Sequence, residues 1–230
     1  LSRFTTVPPV DKKQLKDVVS YEAKQQIPFD LKDIVWDYQQ LSEQVPATEG
    51  VEIGLFASKR TTLDQILTNI VSLKPGLTAL QVSPLAISNL IFFDRQVDGP
   101  SIIINTEAEN TDIVIIDGLH LWLRSITLSA VDADLVKEIQ RSMEYYKSLT
   151  KEEVNFKDIL LIGNKFKDIN NVKFIADNFT YTVKVLKTLN NLKLSDKINP
   201  DFLSENLVNM GVALGLALQG LGAGRININL

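Results

Sequence analysis

Apolar and polar positions alternate, then shift to helical spacing, several times along the chain. "SRFTTVPP" alternates and stops at two prolines, which predicts a short strand. Asp11 is placed as the N-cap of a helix through "KKQLKDVVSYEAKQQI", with Leu15, Val18, Val19 and Ala23 on one face and Pro28 ending it. "DIVWDYQQL" and "VEIGLFASK" alternate as strands joined by a hairpin connection, "SEQVPATEG". A helix follows over "TTLDQILTNIVSL", capped by Thr61 or Thr62 with Asp64 in its first turn.

Beyond residue 76 the pattern becomes more apolar. "LTALQVS" predicts a buried strand, and "PLAISNLIFFD" a helix with Pro84 at its first position. Asp98-Gly99-Pro100 marks a boundary. "SIIIN" and "TDIVIIDG" then read as two strands around a polar corner, and "LHLWLRSITLS" as a third strand of the same meander. "DADLVKEIQRSMEYYKSL" carries Leu135, Val136, Ile139, Met143 and Tyr146 at helical spacing. "DILLIG" has the unbroken apolar character of a buried parallel strand and enters the turn "NKFKDINN". A short helix "VKFIADNF", a strand "TVKVL" and a helix from about Phe202 to Leu221 complete the chain. Strands and helices in this order predict an α/β protein with a mixed sheet, preceded by an α+β unit.

Composition sharpens this picture at a few points. With 230 residues, 45% hydrophobic and 23% charged, the chain has enough apolar mass for a sizeable core. A net charge of −4 gives no footprint for a nucleic-acid polyanion. No window approaches the roughly 20 apolar residues of a membrane span, so direct membrane insertion is not expected. The absence of cysteine removes disulfides and thiolate metal sites and suits a reducing compartment. His120 is the single histidine, which makes a zinc site improbable; it reads as a strand residue facing solvent. Trp36 and Trp122 read as strand residues packing a core or an interface.

Several stretches together resemble PilM, the actin-like protein of type IV pilus assembly, related to the division protein FtsA. They are "YEAKQQIPFDLKDIVWDYQQL", "SPLAISNLIFFD", "AENTDIVIIDGLHLWLRSI", "LVKEIQRSMEYY" and "GVALGLALQGLG", in the family's order and across nearly the whole chain. The resemblance implies an actin-like (ribonuclease H-like) fold in four parts. These are an extra α+β subdomain at 1–76, a return to the first actin-like lobe at 77–98, a second lobe at 99–201, and a C-terminal helix with a peptide-like tail at 202–230. It also exposes two differences. Nothing before Leu1 supplies the family's N-terminal hairpin with its glycine-rich first phosphate loop. Ser129 also meets Ala130 where the family carries a helical segment, so the chain is expected to be stitched from pieces or truncated.

Carried over residue by residue, the family's second phosphate loop places its Asp on Asn105, its Gly on Glu107 and its Thr on Thr111, with Thr106 beside them. The family cofactor would be ATP or ADP with Mg²⁺. Asn cannot supply a full charge to the water shell of Mg²⁺, and Glu107 would set a carboxylate where phosphate sits. A non-hydrolysing or vestigial site is expected rather than a working ATPase; the rival is an ATPase whose first phosphate loop is missing. Gly163 and Asn164 match the adenosine side, or Gly163 simply makes a tight strand-to-helix turn. The tail "GRININL" resembles the N-terminal segment with which the membrane partner PilN docks. Arg225, Ile226, Ile228 and Leu230 are thus expected in a peptide groove, the chain's own or a neighbour's, or the tail is simply frayed. The implied role is an adaptor at the inner face of the cell membrane in the cytoplasm, with a homo-oligomer as one form it could take. A filament-forming protein of the FtsA kind is disfavoured, because "GAGRININL" has no amphipathic helical pattern.

Overall fold

The protein is described by a computed structural model covering residues 1–41, 50–70, 76–118, 120–150, 153–193 and 195–230. Its chain divides into two compact units, Leu1–Gln81 with Asn227–Leu230, and Val82–Ile226.

The first unit is a three-stranded antiparallel sheet in the order β1-β3-β2, built from β1 (Ser2–Val7), β2 (Ile34–Gln40) and β3 (Val51–Lys59). Helix α1 (Lys12–Gln26) lays Leu15, Val19 and Ala23 on Val7, Ile34, Ile53 and Leu55 of the sheet, in one buried cluster. The spacing of those helix residues, four apart, is why one face and no other is covered. Asp11 precedes the helix but its side chain caps nothing; its main-chain carbonyl accepts from Gln14 and Leu15 instead. Helix α2 (Arg60–Ile70) starts directly where β3 ends, so Thr61 and Thr62 lie inside its first turn and neither is the cap. The expected hairpin connection and the expected last turn of α2 fall on 42–49 and 71–73, outside the described residues.

"LTALQVS" forms no strand. It has the apolar content of one, but neither sheet offers it a ladder. The main-chain groups of Leu80 are instead satisfied by the tail, as described below.

The second unit is a five-stranded mixed sheet in the order β6-β5-β4-β7-β8. β4 (Ser101–Thr106), β5 (Thr111–Asp117) and β6 (His120–Ile126) form an antiparallel meander. β7 (Asp158–Ile162) and β8 (Thr182–Val185) join it in parallel on the other side of β4. Every position of β4 is buried, as a strand covered on both faces must be. Helices α3 (Ser83–Asp94) and α6 (Pro200–Gly220) pack on each other; α4 (Ala133–Leu149) and α5 (Ile169–Asn178) pack against β5 and β8. The α3–α6 approach is so close that a Cβ at Gly215 would lie 1.7 Å from the Ala86 carbonyl oxygen. Asp132 caps α4 by accepting from Asp134 and Leu135 main-chain N–H groups. No described helix is long and apolar enough to cross a membrane.

Candidate functional site

The parallel pairing of β4 with β7 sets Asn105 opposite Ile162, so the expected phosphate corner and the Gly163-Asn164 turn leave the sheet side by side. The carboxyl ends of adjacent parallel strands are where open α/β sheets bind ligands. The structure thus brings Asn105, Thr106, Thr111, Gly163 and Asn164 together.

Their side chains are already engaged. Asn105 and Asp112 face each other across the hairpin, and the Asn105 Nδ2 donates to Asp112 Oδ2 at 3.3 Å. Asp112 also accepts from Ser83, at the start of α3, and from Ser125 of β6 at 2.6 Å. A buried carboxyl group needs hydrogen-bond partners, and these three donors supply them. The Asn105 Oδ1 is buried without a hydrogen-bond partner. The Thr111 hydroxyl donates to the Leu128 carbonyl at 2.7 Å and lies 3.1 Å from the Thr106 hydroxyl. The Glu107 N–H closes the turn on the Asn110 carbonyl at 3.0 Å.

Glu107 itself leans over the corner. Partial burial raises its carboxyl above the usual range, the nearby Asp112 charge adds to this, and the Asn164 N–H opposes it by donating to the carboxylate. Gly163 has φ +101°, and a Cβ there would sit 2.4 Å from the Thr106 carbonyl oxygen. Its N–H donates to the Val208 carbonyl of α6 at 2.7 Å. These contacts are what a tight strand-to-helix turn requires of this glycine. As placed, these residues do not fit a Mg²⁺–triphosphate. Asp112 already accepts from three protein donors, the Thr111 hydroxyl is taken by the Leu128 carbonyl, and the Glu107 carboxylate takes the Asn164 N–H that a phosphate would use.

The tail is held at every residue from 225 to 230. In the second unit, the Arg225 guanidinium stacks 4.7 Å from the Phe92 ring centroid. Asn89, fully buried in the apolar helix α3, grips the next residue on both sides. The Ile226 N–H donates to its Oδ1 at 2.7 Å, and its Nδ2 donates to the Ile226 carbonyl at 2.9 Å. In the first unit, the N–H groups of Asn227 and Asn229 donate to Gln39 Oε1 at 3.2 Å and Asp37 Oδ2 at 3.0 Å. The tail therefore runs antiparallel to β2, reading alternate side chains. The Leu230 N–H donates to the Leu80 carbonyl, and the Leu80 N–H to Asn229 Oδ1, both at 2.9 Å. Ile226 and Ile228 are buried and Leu230 is half-buried. The tail is not frayed.

Sequence reasoning missed Asp112, Ser83 and Ser125 at the corner, and Asn89 and Leu80 at the tail, whereas Asp37 and Gln39 lie in "DYQQL", which the sequence left open as a docking surface or a plain solvated edge. A lone amide within the apolar run "PLAISNLIFFD" was the available signal for Asn89. Elsewhere, a surface hollow of about 280 Å³ beside α4 and α5 is lined by Gln140, Met143, Lys147, Phe179 and Tyr181 among others, and by none of the corner or tail residues.

No family model matches the chain, and no curated protein does. Among solved structures it is similar to a chain of a PilM–PilN type IV pilus biogenesis complex. The identity is 20%, with 96% of this chain and 76% of that chain covered and a TM-score of 0.80. A protein of actin-like ATPase fold and unknown function from Bacteroides thetaiotaomicron aligns over 90% of this chain and 69% of its own. Its identity is 12% and its TM-score 0.48, too low to add to the argument. The chain therefore shares its fold with a chain of the PilM–PilN complex, and its five-stranded mixed sheet is the one its sequence led us to expect.

Proposed function

We infer that this protein is a cytoplasmic adaptor of type IV pilus or related secretion machinery, working at the inner face of the membrane. It would bind an extended cytoplasmic peptide of a PilN-like membrane partner and would not turn over nucleotide. One observation carries the reading: the amide of Asn89, fully buried in helix α3, donates to and accepts from the main chain of an extended segment. A core helix tolerates a buried amide when both its hydrogen-bonding functions are met, and here a peptide main chain meets them. Such a group recognises an extended backbone, while the flanking apolar seats select the side chains. The likeness to a chain of a PilM–PilN complex supports the kind of partner.

The test uses the labelled N-terminal cytoplasmic peptide of the partner in fluorescence anisotropy, with calorimetry of Mg·ATP alongside. Saturable peptide binding that Asn89→Leu weakens at least 10-fold, without measurable nucleotide binding, is the expected result. The 10-fold figure corresponds to about 1.4 kcal/mol, within the net range for two lost hydrogen bonds at about 0.5–1.5 kcal/mol each. Sub-micromolar, Mg²⁺-dependent ATP binding would replace the adaptor with an ATPase.

A further inference from the structure

We propose that the end of α3 and residues 188–192 form a releasable latch, in which three successive main-chain N–H groups act as an anion receptor closed on the Asp94 carboxyl group. The latch lies wholly within the second unit and is independent of the peptide-binding reading. Asp94 is the last residue of α3 and is fully buried. Its Oδ1 accepts from the N–H groups of Asn191 at 2.6 Å and Leu192 at 3.1 Å, and its Oδ2 from that of Asn190 at 2.8 Å. The Gln96 Nε2 also donates to Oδ2, and to the Thr188 carbonyl at 3.0 Å. Successive N–H groups that converge on one pair of oxygens are how a main chain holds a phosphate or carboxylate ligand. Here the chain supplies that group itself. The grip is reciprocal, because the Asn191 Nδ2 donates to the Phe93 carbonyl at 2.9 Å. The Asn190 Nδ2 donates to the carbonyls of Asp94 at 3.1 Å and Arg95 at 3.2 Å. The last carbonyls of a helix have no partner within it, so residues 190 and 191 cap α3 from outside.

Little else holds the segment. Among the described residues, the hydrogen bonds that tie 188–192 to the rest of the unit all end on residues 93–96. None of residues 187–192 is buried; Leu189 and Leu192 are half-buried and the others exposed. The nearest strand, β8, ends at Val185, so no ladder reaches the segment. A stretch with few buried apolar contacts and no ladder opens at a lower free energy than the core of its domain. Opening therefore moves 188–192 as one piece while β4 and β7 stay paired, and it uncovers the Asp94 carboxyl group together with the last carbonyls of α3.

Hydrogen exchange on the full chain under native conditions, followed by NMR at rising urea, tests release. The amides of Asn190, Asn191 and Leu192 should exchange through an opening that urea barely promotes, with protection at least about 10-fold weaker than at Ile103 and Ile104 of β4. One protection factor and one urea dependence for both sets overturns the latch. Asp94→Gly tests the receptor, since it removes the carboxyl group and leaves a space shaped for acetate. Loss of the bonds to that group should lower protection at the three amides about 100-fold. Sodium acetate should restore most of the protection, and sodium chloride at equal ionic strength should not. Unchanged protection in the variant, no recovery with acetate, or equal recovery with both salts refutes the receptor. Should Asp94→Gly not fold, Asp94→Asn takes its place. Faster exchange confined to residues 190–192 then supports the latch, and equal acceleration in β4 refutes it.

Discussion

Gly163 offers the sharpest test of whether the corner beside β4 is a packed junction or a ligand cradle. At φ +101° and ψ 162° it occupies a region open to glycine and strained for other residues, at about 1–3 kcal/mol. An alanine would also place its Cβ 2.4 Å from the Thr106 carbonyl oxygen and 2.8 Å from the Thr106 nitrogen. Those atoms are main chain, fixed by pairing to Thr111, and cannot swing aside. The turn would have to move outward, loosening the 2.7 Å bond from the Gly163 N–H to Val208, at about 1 kcal/mol more. Gly163→Ala should therefore cost about 3 kcal/mol. For a chain of this length that lowers Tm by roughly 10 °C. Gly118→Ala is the control, since Gly118 also has positive φ (+60°) but faces open space; it should cost about 1 kcal/mol. Both are read by thermal and urea melts followed by circular dichroism. Equal penalties at the two sites would refute steric packing at Gly163 and reopen the corner as a binding surface.

Glu107→Gln should raise Tm at neutral pH and leave it unchanged in acid. Burial and the Asp112 charge make the folded state favour the protonated form, so ionised Glu107 opposes folding above its raised pKa, and the cost vanishes as pH falls through that value. A gap between parent and variant that widens toward low pH would contradict the sign. Asp94→Ala should cost about 3 kcal/mol, because buried Asp94 accepts from the main-chain N–H groups of Asn190, Asn191 and Leu192. Hydrogen exchange should accelerate at those amides first; unchanged protection there would show that they are held some other way.

Strands and helices whose partners lie nearby were legible from local pattern. β4 and β5 announced themselves by apolar runs flanking a polar corner, and α1 and α4 by faces that the core then covered. Residues 77–82 misled because apolar content reveals burial but not whether a ladder is on offer. At the site, the substitutions at Asn105 and Glu107 could be weighed from residue chemistry alone. The occupation of Asn105 by Asp112 could not, since Ser83 and Ser125, which hold that carboxylate, arrive from 29 and 13 residues away. The tail's alternation was readable, yet Asn89 lies 137 residues before Ile226, beyond the reach of any local rule.

The outer strands of the five-stranded sheet bear on how an extended segment can be read at all. β8 has four residues, and its Lys184 is ion-paired to Asp158 at 3.0 Å; β6 carries Arg124, paired to Glu138 of α4 at 3.0 Å. A foreign strand arriving at either margin would have to strip water from a cation, the usual guard against runaway sheet growth. With both margins defended, the five-stranded sheet is closed to growth by a further strand at either side.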